Sequence, residues 1–242
     1  MSSRKSSKQS TVSQSPSFDQ NLINEHIGCI KSRVVHEKVL ETDHIQWLLG
    51  PSDPNSPRSV GISPAYSQSG GLPVFACAND TRILIVNLHS TTPYKDGNLS
   101  GSGTTPRNVK RRKLLEELLL CNPFVTLYAF DLAPFALSLC LHAHLHVTDA
   151  IDIQSALGVA DRSIVGTVRV VTTEIFPDNI TGAFKRVLYE SNKDKDLTDL
   201  VQRAWLSGFI GQYDLGLVKD MLYKAPKVNM KKFSNEVRYT FI

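Results

Sequence analysis

The chain has 242 residues, 41% hydrophobic, 21% charged and 8% aromatic, enough for one ordinary core or two small ones, which excludes a wholly disordered or fibrous protein. Lys plus Arg number 27 against 23 for Asp plus Glu, a net charge of +4 that permits an anionic partner without demanding one and excludes a histone-like or ribosomal character. Cys29, Cys77, Cys121 and Cys140 stand far apart with no CxxC pair, so spacing supports neither a disulfide scaffold nor a zinc finger, and a reducing compartment is the simpler reading.

Residues 1–20 are rich in Ser with scattered Lys and Arg, a composition expected to stay a disordered tail. It lacks the apolar stretch of roughly 7–15 residues that a secretory signal needs, and no later run approaches the roughly 18 apolar residues of a membrane span. The expected location is cytoplasmic, nuclear or both, with no membrane partner. Residues 27–35 and 39–49 alternate loosely between apolar and polar and read as an opening hairpin. Residues 50–72 carry Pro51, Pro54, Pro57 and Pro64 among Ser and Gly and read as a long irregular loop. Strands follow at 74–78 and 83–88, with Asn79-Asp80 as the turn between them, and then a second loop over 91–106.

Leu114, Leu115, Leu118 and Leu119 put a helix over 109–120. Residues 124–130 suit a buried strand, 132–145 an apolar helix that tolerates Pro134 in its first turn, and 147–153 a further strand. Beyond these lie a β-rich stretch at 163–175, a short helix at 181–189 and amphipathic helical spacing over 197–223. The apolar faces of 197–209 and 215–222 read as core, with partner docking as the alternative.

This order predicts an α/β domain over residues 21–225 and a basic C-terminal segment over 226–242. Its size and element order resemble the ribonuclease-H-like family, in which three antiparallel strands precede alternating helices and strands on a mixed sheet flanked by helices. The apolar run Leu127-Tyr128-Ala129-Phe130-Asp131, continuing into Leu132-Ala133-Pro134-Phe135, resembles the second motif of DnaQ-type 3′-5′ exonucleases, with Asp131 as the matching acid. Such enzymes clamp two metals with several carboxylates. Their first motif, Asp-x-Glu, has no match at residues 25–31 or at Asn87-Leu88-His89.

Residues Glu25, Ile27, Gly28, Cys29 and Lys31, the run from Val39 through Gly50-Pro51, and Leu139-Cys140-Leu141-His142 resemble the Maelstrom domain, a nuclease-like branch of that superfamily found in small-RNA silencing. The likeness covers about residues 22–146. It implies a catalytically inert scaffold or RNA-contacting factor in RNA interference, with RNA-silencing proteins and single-stranded or small-RNA-targeted RNA as partners. Without an attached HMG box, it implies RNA interference rather than a piRNA-only role. The family's Glu, Cys, His, Cys zinc set would begin with Glu25 and Cys140, while the helix around 203–209, which should complete it, contains neither His nor Cys. No cofactor is therefore expected, since neither zinc nor magnesium finds a full ligand set. Two other readings stay open: a metal-dependent 3′-5′ exonuclease or single-strand RNA endonuclease using Asp131, and a protein-interaction module that never touches nucleic acid.

Arg107, Lys110, Arg111, Arg112 and Lys113 are the candidate nucleic-acid site, because cations at a helix N-terminus oppose the macrodipole and local stability does not explain them; contact with a nuclear-import receptor or a merely solvated face are the alternatives. A second basic set, Lys224, Lys227, Lys231, Lys232 and Arg238, closes the chain. Glu25, Asp131 and Cys140 are the residual site candidates. Asp131 has a plainer reading as the cap of the helix beginning at Leu132, and Asp149 and Asp152 read as structural. Cys140, His142, His144 and His146 alternate at period two and could chelate zinc on an extended segment, but they scatter on a helix.

Overall fold

The computed structural model describes residues 30–51, 56–68, 70–88, 106–158, 167, 170, 197–212 and 216–231. Six strands, β1 (Lys31–His36), β2 (Arg58–Ala65), β3 (Val74–Ala78), β4 (Arg82–Asn87), β5 (Val125–Ala129) and β6 (Ala150–Asp152), form one mixed sheet in the order β1-β4-β3-β2-β5-β6. β2, β3 and β4 are the antiparallel trio, while β5 joins β2, β6 joins β5 and β1 joins β4 in parallel. Helices α1 (Thr42–Leu49), α2 (Pro106–Leu115), α3 (Leu132–Ser138), α4 (Ile153–Ala156), α5 (Leu197–Gln212) and α6 (Gly216–Lys224) accompany it. The α/β class is the expected one, and the trio followed by α2-β5-α3-β6-α4 is compatible with a ribonuclease-H-like arrangement.

Two segments differ from expectation. The opening hairpin does not form: residues 31–36 are a strand, but 42–49 are the helix α1. Ile45 and Leu48, three residues apart, are both fully buried, and the Glu41 N–H donates to Nδ1 of His44 at 3.1 Å, so a helical period and a local cap outweigh the loose alternation. The proline-bearing stretch 50–72 is not all loop, since it contains β2, which lies inside the sheet between β3 and β5. Pro64 is tolerated there because β5 pairs with β2 only over Arg58–Gly61, leaving Pro64 beyond that ladder.

The other expected elements that are described fall close to where the periodicity put them, while the short helix α4 is not among those expected and the strand expected over 147–153 is confined to β6. Asn79 builds the β3–β4 turn: its Oδ1 accepts from the amides of Thr81 (3.0 Å) and Arg82 (2.7 Å). α2 and α3 each continue into a π-helical turn, Glu116–Leu120 and Leu139–Ala143. Of the expected strand 163–175 only Thr167 and Val170 are described, both helical. The Ser-rich tail and the helix at 181–189 lie outside the described residues.

The sheet has two buried faces. Ile62, Phe75, Cys77, Leu84, Val86, Leu127 and Ala129 meet Ile45 and Leu48 of α1, Phe135 of α3, and Leu119 and Leu139 of the π turns after α2 and α3 on one side. Ala76, Ile83, Ile85, Tyr128 and Ile151 meet Leu200, Ala204, Trp205, Ile210 and Leu222 of α5 and α6 on the other. These strand residues alternate between the two clusters, as period-two side chains covered on both faces must.

α5 crosses β2 at backbone distance. A Cβ on Gly61 would overlap the carbonyl oxygen of Ala204, the amide of Gly208 and Ser207 Oγ, and one on Gly208 would lie 2.8 Å from the Ala78 carbonyl oxygen. Ser59 Oγ donates to the Gly211 carbonyl at 3.3 Å, and Trp205 Nε1 donates to the Asp80 carbonyl at 3.1 Å. The apolar face of α5 is thus core, as expected of 197–209. Gly61→Ala must displace α5 or distort β2. It is expected to lower the unfolding free energy by about 3 kcal/mol, measured by urea denaturation, with earlier hydrogen exchange across α5 than in the parent protein.

Candidate functional site

In parallel α/β sheets ligands bind where the carboxyl ends of the strands open a crevice. Here that place is the end of β2, β5 and β6, around which lie Ser63 near the end of β2, Tyr66 just beyond it, Asp131 after β5, Asp152 at the end of β6, Gln154 in α4 and Arg203 in α5. Asp131 sits in the left-handed region, with φ 51° and ψ 49°, and it is exposed. Its N–H donates to Oε1 of Gln154 at 3.1 Å.

The expectation that Asp131 caps α3 is corrected, because its side chain makes no capping bond. Asp152 takes that role from the neighbouring strand. Its Oδ2 accepts from the Leu132 amide at the start of α3, and its Oδ1 from the Ser155 amide in α4, both at 3.0 Å. One carboxylate therefore neutralises two helix N-termini, in keeping with the structural reading of Asp152. Asp149, also left-handed at φ 54°, accepts a salt bridge from Lys227 at 3.2 Å.

The central strand carries no acid. β2 reads Arg-Ser-Val-Gly-Ile-Ser-Pro-Ala, and Ser63 is fully buried, its Oγ without a hydrogen-bond partner. β2 opens the antiparallel trio and β4 ends at Asn87, while Glu25 lies outside the described residues. Tyr66 lies just beyond β2, and burial pushes its pKa above the ordinary 10.0, opposed by Ser138 and Arg203 beside it and reinforced by Asp131. Arg203 and Gln154 are buried at 5% and 2% exposure. The described residues at this end of the sheet combine one exposed carboxylate, Asp131, with a half-buried phenol and a buried guanidinium, amide and hydroxyl, groups that hydrogen-bond but do not supply the several carboxylates that neutralise two metal ions. Sequence reasoning missed Ser63, Tyr66, Gln154 and Arg203; the signal that could have found Ser63 and Tyr66 was β2, hidden among prolines.

The basic cluster on α2 divides. Arg112 is buried at 6% exposure, with Nε 2.7 Å and Nη2 3.1 Å from the Glu37 carboxylate and Nη1 3.0 Å from the Ala143 carbonyl. It fastens the turn after β1 (residues 37–39), α2 and the end of α3, and it presents no charge to a ligand. Arg111 is half-buried, with Nη1 enclosed and without a hydrogen-bond partner. Lys110 and Lys113 are exposed, and Lys113 lies 3.4 Å from Glu117 one turn on. Arg107 is in the first turn of α2, its side chain outside the described residues.

Cys140 and His142 lie in the π turn after α3, and His144 ends it in the left-handed conformation, φ 53°. His146 is drawn elsewhere, Nδ1 3.2 Å from Glu116, which also holds Lys231 at 3.5 Å. The alternating Cys-His-His-His run is therefore not one extended chelating edge. Among the described residues no three His, Cys, Asp or Glu side chains gather as a metal-holding group. Burial raises the Cys140 and Cys121 thiols above the ordinary thiol range. No described helix is long and apolar enough to cross a membrane.

No protein-family model matches this chain, and no curated protein matches it.

Removing one member of a buried ion pair strands the other. Arg112→Leu should therefore cost about 3–5 kcal/mol, while Glu37→Leu with Arg112→Leu should recover most of it, read from a double-mutant cycle by urea denaturation. The raised Tyr66 pKa means that the neutral phenol stabilises the fold fully below about pH 10. That contribution is lost as pH rises through the folded value, because the unfolded chain releases the proton first. Tyr66→Phe should make the alkaline fall in stability shallower by up to about 1.4 kcal/mol per pH unit, measured by denaturation at successive pH values above about 9.

Proposed function

We propose that the chain is a non-catalytic, nuclease-like scaffold or RNA-contacting factor in small-RNA-mediated gene silencing, akin to the Maelstrom group and working in the cytoplasm or nucleus. The observation that carries the inert half of this reading is the central strand. β2 offers Gly61 and buried Ser63 beneath α5 where the DnaQ-type resemblance requires Asp-x-Glu. Asp131 stands at the end of β5 without a second carboxylate on β2 to share a metal with it. The silencing half rests on the residues resembling the Maelstrom domain, and RNA-silencing proteins are the corresponding partners.

The second reading, a protein-interaction module without nucleic-acid contact, is favoured by one observation. Arg112, at the centre of the basic cluster, is committed to Glu37 and Ala143. RNA contact through α2 would then fall to its outer face, Lys110 and Lys113.

Labelled single-stranded RNA incubated with the protein and Mg²⁺ or Mn²⁺ is expected to remain intact; turnover abolished by Asp131→Ala would overturn the scaffold reading in favour of the enzyme. In a titration of the same RNA, Lys110→Glu with Lys113→Glu should weaken binding, and the log–log salt slope should fall by about 0.7 for each phosphate no longer neutralised. Unchanged affinity and slope would favour the interaction module.

A further inference from the structure

We propose that the outer edge of β1 is a docking site for an extended acidic segment of a partner protein, which adds to the sheet as a further strand. The inference does not depend on whether the chain contacts RNA, because it uses none of α2.

The two ends of the sheet are finished differently. At β6 the chain seals its own edge: Val228 N–H donates to the Ala150 carbonyl at 2.7 Å, the Ala150 N–H returns the bond at 3.4 Å, and Met230 N–H donates to the Val147 carbonyl at 2.9 Å. At β1, the other end of the strand order, no described strand pairs with the outer edge. Lys31 N–H donates to the Thr81 carbonyl at 2.9 Å, so in the parallel register with β4 residues 31, 33 and 35 turn their backbone inward. The N–H and C=O of Ser32 and Val34 therefore face outward, the template on which an extended peptide adds a strand.

Two of the usual protections of an edge are absent from β1. β1 contains no proline, and Arg33, the long cation that could shield it, is folded back with its guanidinium 4.3 Å from the centre of the Trp47 ring. Val34 is 58% exposed.

The side chains specify the occupant. Val35 joins the cluster beneath α1, so Lys31 and Arg33 share the α1 face, while Ser32 and Val34 share the other. Lys31, Arg33 and Lys38 are exposed, and the only acid among residues 30–40, Glu37, is buried against Arg112; the next exposed acids, Glu41 and Asp43, belong to the N-terminus of α1. A complementary strand carries acidic residues on the α1 face and apolar ones opposite Val34, in strict alternation. A second copy of β1 would set like charges against one another, which disfavours self-pairing. Single-stranded RNA would need a free aromatic platform, and the Trp47 ring already carries Arg33, with Arg82 5.8 Å from its centre.

The test titrates the full chain into a fluorescein-labelled nine-residue peptide of alternating Glu and Val, followed by anisotropy. Binding should weaken at least tenfold in Val34→Pro, and equally in Lys31→Glu with Lys38→Glu, which also decides the matter should the proline variant fail to fold. Of two peptides N-methylated on alternate residues, the one blocked on the pairing edge should lose binding and the other keep it, and a Lys-Val peptide should not bind. Absence of peptide binding, equal binding of both N-methylated peptides, or displacement of the peptide by 12-nucleotide single-stranded RNA would overturn the proposal. So would concentration-dependent dimerisation of the free protein that Val34→Pro abolishes.

Discussion

The crossing of α5 over β2 is the constraint on which the rest of the structure depends. Helix and strand meet backbone to backbone because Gly61 and Gly208 present no side chains to one another, and the hydroxyl of Ser59 ties the end of the helix down to the strand. With α5 this close, the α5 face of β2 is limited to small residues, Ser59, Gly61 and Ser63. The same limit governs chemistry. A carboxylate at Ser63, where exposure is 0%, would be desolvated against helix backbone, at a cost that only pairing or a bound cation offsets. The packing that joins the two halves of the chain and the lack of an acid on the central strand are thus two consequences of one close approach.

That approach also explains which parts of the molecule could be read from sequence. The helices α2, α3 and α5 and the strands β3, β4 and β5 advertise themselves through Leu, Val, Ile and Phe at regular spacing, because they bury large side chains against a sheet. β2 does not. One of its faces is small by necessity and its boundaries are prolines, so Val60 and Ile62 are its only large apolar residues, and tertiary contact alone makes it the central strand. α1 misled for the opposite reason: Val39, Glu41 and Asp43 mimic alternation, while the Ile45–Leu48 pair and the His44 cap that define the helix occupy a single turn. Missing β2 meant missing Ser63, near its end, and Tyr66, just beyond it.

Two features of the sequence pointed toward site chemistry, an Asp-led helix start and a basic helix, and the fold uses part of each internally. The amides opening α3 and α4, where an anion would ordinarily settle, are already met by Asp152. Arg112, in the middle of the basic run, matches its planar fork to the Glu37 carboxylate and reaches the last carbonyl of the π turn after α3. A guanidinium suits this role because it satisfies a carboxylate bidentately and a carbonyl at once, which explains the arginine without any ligand. Spacing along a helix cannot distinguish a cation turned outward from one turned inward. Here the distinction depends on Glu37, 75 residues earlier in the chain.

The net charge of +4 therefore says less than the positions at which charge is left uncompensated. Lys227 answers Asp149, Lys231 answers Glu116 and Lys113 answers Glu117, and each of these pairs joins or decorates the β6 end of the sheet or the nearby helix. The opposite end is different in kind. There Arg33 and Arg82 lie near an aromatic face instead of a carboxylate, an interaction that holds the guanidinium in place yet leaves its charge unneutralised. A cation paired with a carboxylate is nearly silent beyond a few ångströms, whereas one stacked on a ring still projects its field into solvent. Among the described residues, Arg33 and Arg82 thus leave positive charge beside the β1 edge, although the composition is only mildly basic.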